Sequence, residues 1–231
     1  MTEEENDNTI DPVADLYERR RRIREEMGGA ERVARMRSEG TPTIRDHIDG
    51  VLDKGSFREL GTHGRSMRLE DRHNTPGDGK VGGEGRIDGR PVAISGDDIT
   101  VKKGSSAIVG GRRIQRIYER ALERGMPYVY IGETGGGRIP DLIGAEGIAD
   151  VAPDPGLTQR RRQIPMATMI VGQSFGDRPF SRHFLTSLFR CEVRSWQSHR
   201  PGSSKWQREK SLASKNSVES TCIPGLQDKL T

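Results

Sequence analysis

Residues 126 to 140 read MPYVYIGETGGGRIP, Met126 to Pro140, and this stretch decides the fold. An apolar run from Tyr128 to Ile131 has strand character, three glycines follow at Gly135, Gly136 and Gly137, and a helix-like segment runs from Ile139 to Ala149. Glycine lacks the side chain that would block close approach, and the first turn of a helix has unpaired N–H groups. Such a junction suits an anion or a developing oxyanion. On its N-terminal side, Ile114, Ile117, Tyr118, Ala121 and Leu122 follow the i, i+3, i+4 spacing of an amphipathic helix, with Gly125 placed as its C-cap. On its C-terminal side a second strand-like run, Ile164 to Val171, ends in a small polar turn from Gly172 to Gly176. Strand, tight turn and helix thus recur. The pattern predicts an α/β layered domain with ligand chemistry at the strand ends.

Further upstream, Asp88-Gly89 lies between Gly85–Ile87 and Arg90–Ser95 and predicts a tight hairpin, and Ile99 to Val101 predicts another strand. Residues 62–80 are polar and turn-rich, which predicts a loop. Thr43 is placed to cap a helix running to Leu52, closed by residues 53–56 and followed by a strand from Phe57 to Leu60. His47 lies on that helix without a second His or Cys at ligand spacing, so it reads as a packing or surface histidine. Residues 12–40 read as charged helix broken at Gly28 and Gly29, with the basic run Arg19 to Arg22 on a solvated face. Residues 1–11 are acidic and read as disordered.

The chain has 231 residues and a formal net charge of +4, but the charge is unevenly placed. Residues 177–231 hold ten Lys and Arg against five Asp and Glu, whereas residues 1–176 have a net of −1. Both tryptophans, Trp196 and Trp206, and both cysteines, Cys191 and Cys222, also fall in the later part. No apolar run is long enough to span a bilayer, and the acidic start is unlike a signal peptide, so the expected location is the cytoplasm. Two cysteines make no disulfide framework and no metal site, and no metal is expected.

Three ligand readings compete for the glycine turn, beside that of a plain bend. A phosphate loop requires Lys and then Ser or Thr after its last glycine, where this chain has Arg138-Ile139. A dinucleotide fingerprint requires spaced glycines, and these are contiguous. An oxyanion hole requires only backbone donors at a strand end.

Four collinear segments bear on the choice: MGGAERVAR (27–35), TPTIRDHIDGVLDKGSFRELG (41–61), GEGRIDGRPVAISGDDITVKKGS (83–105) and GETGGGRI (132–139). Together they resemble the carboxyltransferase (β) subunit of biotin-dependent acyl-CoA carboxylases over its N-terminal half, here Met27 to Gly176. The resemblance implies a crotonase-like α/β fold, a spiral of β-β-α units, truncated, with 41–176 as an incomplete carboxyltransferase N-terminal domain. It implies transfer of a carboxyl group from carboxybiotin to the α-carbon of an acyl-CoA. The family's S-G-G-A-R turn matches Thr134-Gly135-Gly136-Gly137-Arg138. By that match Gly135 and Gly136 are the expected oxyanion donors, and Thr134, Gly137 and Arg138 the expected substrate contacts. Gly137 replaces an alanine, and Lys103 replaces the first glycine of a T-V-x-G-G-S segment. Released biotin can act as the base in the family, so no side-chain base is required. The chain has no biotin-bearing lysine segment. A separate biotin carboxylase and biotin carboxyl carrier (α) subunit are the implied partners, with assembly into a homo-oligomer and no role for nucleic acid or membrane.

The resemblance is expected to stop at Gly176. Residues 177–231 read as a basic, disordered tail, with nucleic-acid binding through Arg, Lys and the two tryptophans as the functional alternative. A third reading is loss of one nucleotide near Gly176. In the shifted frame the codons permit GSSFLAALSDF, then VATGEK and EELGGVDVHT, which resemble the family's continuation. Trp206 with Gln207 forces alanine in that frame, and Lys205 with Trp206 allows only valine or methionine. The chain is accordingly expected to be a weakly active or inactive part of a carboxyltransferase. The alternatives are a stand-alone crotonase-like acyl-CoA decarboxylase or hydrolase, and a non-enzymatic module with a basic tail.

Overall fold

The computed structural model describes residues 11–144, 147, 149, 160, 163–174 and 187–190. The acidic start, the turn at Gly176, both cysteines and both tryptophans lie outside the described residues. Three helices open the chain: α1 (Pro12–Glu25), α2 (Ala30–Ser38) and α3 (Ile44–Val51). Thr43 caps α3 as expected, in a reciprocal capping box with Asp46. A six-stranded mixed sheet follows in the order β1 (Arg58–Glu59), β2 (Lys80–Ile87), β3 (Arg90–Asp97), β4 (Tyr128–Thr134), β5 (Met166–Ser174) and β6 (Ser187–Arg190). β2 runs antiparallel to both of its neighbours, β1 and β3, and β3 to β6 run parallel.

The β2–β3 hairpin turns on Asp88 and Gly89, both at positive φ (50° and 76°), the geometry that Asp-Gly favours. The Asp53 carboxylate fastens it, accepting from Asp88 N at 3.0 Å and Gly89 N at 2.8 Å. After the hairpin comes the crossover helix α4 (Ile108–Arg124), ended by Gly125 in the left-handed conformation, which delivers the chain to β4 beside β3. Hairpin, crossover helix and parallel strand form one complete β-β-α unit.

Strand alternation gives the sheet two buried faces. On one face Ile117, Tyr118, Ala121 and Leu122 of α4 pack with Ala93, Tyr128 and Met166. On the other, Ile44, Ile48 and Val51 of α3 pack with Ile94, Val129 and Met169. Met27 and Val33 join this second cluster, so the charged helical segment docks on the domain. The joint is tight: Gly28 N donates to Thr100 Oγ1 at 2.9 Å, and a Cβ on Gly28 would collide with the Thr100 carbonyl.

Six local expectations change. Residues 99–101 form a turn, because the buried Asp98 carboxylate accepts from Thr100 N at 3.0 Å and from its hydroxyl at 2.5 Å, drawing the backbone round. The strand expected from Phe57 to Leu60 narrows to Arg58–Glu59, and the 62–80 loop contains two 3-10 segments, Leu69–Asn74 and Pro76–Gly79, before Lys80 opens β2. Gly172 lies inside β5 and not at a turn, since ladder pairing with β4 reaches Ser174. The helix after the glycine turn, α5, spans only Ile139–Leu142, and Ile143 is extended. Finally, the tail expected to lack regular structure supplies β6, which pairs with β5 from Ala167↔Ser187 to Ile170↔Arg190.

Candidate active site at the glycine turn

β4 ends at Thr134, and the three glycines then run against the loop that follows β3. Gly135 N donates to Lys103 O at 2.8 Å, Ser106 N to Gly136 O at 2.8 Å and Arg138 N to Ser106 O at 2.8 Å. The last two bonds form a single parallel bridge between Ser106 and Gly137, which turns the amide of Gly137 away from the 103–106 loop. Gly136 stands at φ 98°, a conformation open to glycine and few other residues. Its N–H is taken by the Thr134 hydroxyl at 3.1 Å, and that hydroxyl donates to Gly104 O at 2.9 Å.

Both amides singled out from the sequence, Gly135 and Gly136, have acceptors within the protein, because the turn is stitched to its neighbour loop and to its own threonine. Among the described residues, Gly137 N has no acceptor. Thr134 is buried and acts as a brace for the turn. Arg138, expected to touch substrate, instead faces inward at 7% exposure: Nη1 meets Asp78 Oδ1 at 2.6 Å, and Nε donates to Ser105 Oγ at 3.2 Å. A short α5 also leaves little macrodipole at this site, so orientation of individual amides replaces the helix-terminus argument.

A second buried network lies beneath. Lys80 and Asp97 pair in the interior, with Lys80 Nζ also donating to Gly104 O at 2.8 Å. Asp97 accepts further from Tyr130 Oη at 2.8 Å and from Glu133 N at 3.1 Å. One carboxylate thus fixes the backbone just before the turn. Below β1, the buried Glu59 carboxylate meets Arg45 and Arg113, both at 2.9 Å. Burial pushes its pKa up, but the two guanidinium groups outweigh this and hold it below the usual glutamate value.

Above the turn is an open cavity of about 820 Å³ with Thr134, Gly135 and Glu133 in its wall. Arg32 and Arg35 of α2 and Lys102 and Lys103 of the post-β3 loop also line it, against Glu39. Lys102 pairs with Asp71 at 2.8 Å and Arg32 donates to Thr100 O. Arg35 and Lys103 meet no carboxylate among the described residues. Lys102 and Lys103 both hold positive φ (47° and 57°), so the backbone at Lys103 keeps a left-handed conformation where the resemblance places glycine. Arg32, Arg35 and Lys102 were missed as site residues, since nothing in the linear sequence brings α2 to this loop. The contact that does so is the Gly28–Thr100 joint.

The fold is a mixed-sheet domain of crotonase type with one amide, that of Gly137, left without an acceptor among the described residues at a strand end. The carboxyl transferase domain matches residues 35–188, and the chain belongs to this family. The match continues past Gly176, where the resemblance was expected to stop. The chain is 36% identical over 178 residues to a propionyl-CoA carboxylase beta chain of Saccharopolyspora erythraea, covering 75% of this chain and 32% of that one. It is 36% identical over 143 residues to the beta4 subunit of a biotin-dependent long chain acyl-coenzyme A carboxylase of Mycobacterium tuberculosis, covering 62% and 27%. Among solved structures, it resembles transcarboxylase 12S, described as a hexamer assembly, with a TM-score of 0.60 and 29% identity over 69% of this chain and 32% of that one. The chain spans about a third of the length of these relatives. Among the described residues, no helix is long and apolar enough to cross a membrane, and no cluster of metal-ligating side chains occurs.

Proposed function

We propose that this chain provides the acyl-CoA-holding half of a carboxyltransferase site in a biotin-dependent acyl-CoA carboxylase. The observation that carries the reading is the glycine turn itself: an amide at Gly137 without an acceptor among the described residues, on a rigidly braced turn whose Thr134 and Gly135 line a cavity walled by Arg32, Arg35, Lys102 and Lys103. The cations complement the phosphates of coenzyme A, while the Gly137 amide, with Gly136 exchanging its bond to Thr134 for one to ligand, holds the thioester oxygen as it gains charge. Carboxybiotin on a separate carrier subunit supplies the carboxyl group, and a further β-subunit half completes the site in a homo-oligomer.

Titration with propionyl-CoA by calorimetry tests the reading. Saturable binding that weakens with salt and is lost with propionyl-pantetheine is expected; equal affinity for both, or no binding, overturns it. Carboxylation of propionyl-CoA by this chain plus the carrier subunit alone is expected to be negligible, and robust turnover would show the site to be complete. The out-of-frame origin of residues 177–231 remains a proposal of the same kind, tested by the nucleotide sequence across the Gly176 codon. Codons unable to encode the family text in the shifted frame would reject it.

A further inference from the structure

A second cavity, of about 640 Å³, is walled by α4, by the loop after β1 and by Arg20 of α1, and it shares no lining residue with the cavity above the glycine turn. Among the described residues its wall holds five arginines and His63 against one carboxylate, that of Glu59. Glu59 is already engaged by Arg45 and Arg113, and Arg120 is joined to Glu84. Arg116 is exposed and meets no carboxylate among the described residues. Arg20 is in the same position for a different reason. In the basic run of α1, Arg19 pairs with Asp15, Arg21 with Glu18 and Glu25, and Arg22 with Glu18. Arg20 instead stands over the Tyr17 ring, 5.9 Å from its centroid, with a buried Nε that has no hydrogen-bond partner. Arg112, Arg116 and Arg120 follow one another at i, i+4 and i+8 on α4, a spacing at which like charges repel. The excess of positive charge reaches His63: burial first, and then Arg20, Arg19 and Arg65, hold its pKa below the usual histidine value, although Glu59 opposes them.

We infer that this cavity is a binding site for the diphosphate group of a small organic phosphate, separate from the glycine turn. Arg20 and Arg116 come to it from two different elements, and a guanidinium fork matches a pair of phosphate oxygens. An anion lying along α4 also relieves the repulsion between Arg112, Arg116 and Arg120. Leu60 and Val109, in the same wall, give apolar contact to the organic part of the ligand, and the volume is that of a small-molecule site.

Calorimetric titration of the full chain with inorganic pyrophosphate tests the site without reliance on acyl-CoA binding. Saturable binding that weakens as salt rises is expected. Arg116→Gln should weaken it about tenfold at unchanged melting temperature and unchanged affinity for propionyl-CoA. Arg20→Gln should act likewise and Arg20→Lys should retain part of the affinity, whereas Arg35→Ala, in the other cavity, should leave pyrophosphate binding unaltered. On saturation the His63 pKa, followed by NMR, should rise, because a nearby anion favours the imidazolium. Absence of binding, or binding undiminished in both Arg116→Gln and Arg20→Gln, overturns the proposal, as does a His63 pKa that pyrophosphate does not move. Binding lost in Arg35→Ala but kept in Arg116→Gln assigns the anion to the basic wall near the glycine turn, which overturns this site while leaving the acyl-CoA reading intact.

Discussion

The glycine turn separates two regions built on opposite electrostatic plans. Beneath it, Arg138 is joined to Asp78 and Lys80 to Asp97, all buried, and each charge has an opposite partner within reach. Above it, the cavity wall carries Arg35 and Lys103, which meet no carboxylate among the described residues. The first arrangement fixes a backbone, since a buried charge is tolerated only when paired. The second is suited to an anion arriving from solvent. The same distinction separates the wall from α1, where Arg21 and Arg22 look like a basic patch but are bound to Glu18 and Glu25 of their own helix. The density of arginines along a sequence is therefore a poor guide to a binding surface; what counts is which of them their neighbours leave unpaired.

The comparison predicts that damage below the turn appears as lost stability and damage above it as lost affinity. The largest effect is expected from Arg138→Met, which strands the Asp78 carboxylate in the interior and should destabilise by about 3–5 kcal/mol, measured by denaturant unfolding. Acid should act on the same lower layer. The Glu59 pKa is lower folded than unfolded, so its contribution is present above the unfolded value and is lost as pH falls through the folded one. Unfolding midpoints should therefore decline below about pH 4, and Glu59→Gln should flatten that decline. Thr134→Val keeps the shape but removes both bonds of the brace, and should destabilise by about 1–3 kcal/mol. It should also change affinity for propionyl-CoA, because Gly136 N is released. In the upper layer, Arg35→Ala should weaken propionyl-CoA binding about threefold to tenfold with an unchanged melting temperature. A fall in stability as large as that of Arg138→Met would erase the distinction. The smallest effect is expected at Lys103→Gly. Relief of the left-handed conformation outweighs the added freedom of the unfolded chain, giving a gain of about 0.5–1 kcal/mol, while affinity falls because a cation is lost.

Much of the architecture was readable from local pattern. Asp88-Gly89 specified the hairpin, Gly125 the end of α4 and Thr43 the start of α3, each because a backbone angle or an orphan amide demands that residue type. The glycine turn was legible as a site for the same reason. Its wiring was not. Arg138 was expected to contact substrate through its match to the family's S-G-G-A-R turn, and only the approach of Asp78, sixty positions earlier, turns it inward. The amides of Gly135 and Gly136 find acceptors in the 103–106 loop, arriving from another strand, and in Thr134. β6 lay beyond the point where the resemblance was expected to end, and a four-residue strand is too short for periodicity to reveal. Such features depend on long-range pairing, on which short windows of sequence are silent.

The joint between Gly28 and Thr100 also has a consequence in time. Its two sides are 72 positions apart, and Thr100 is held in place by the Asp98 turn behind β3. The β2–β3 hairpin and α4 close through nearby contacts, whereas α2 must wait for this distant partner, and with it Arg32 and Arg35. The cavity wall is thus the last part of the site to be assembled. Pulsed hydrogen exchange during refolding should show the amide of Gly28 gaining protection after those of β2 and β3, so that a newly made chain has its glycine turn before it has the basic wall of the cavity.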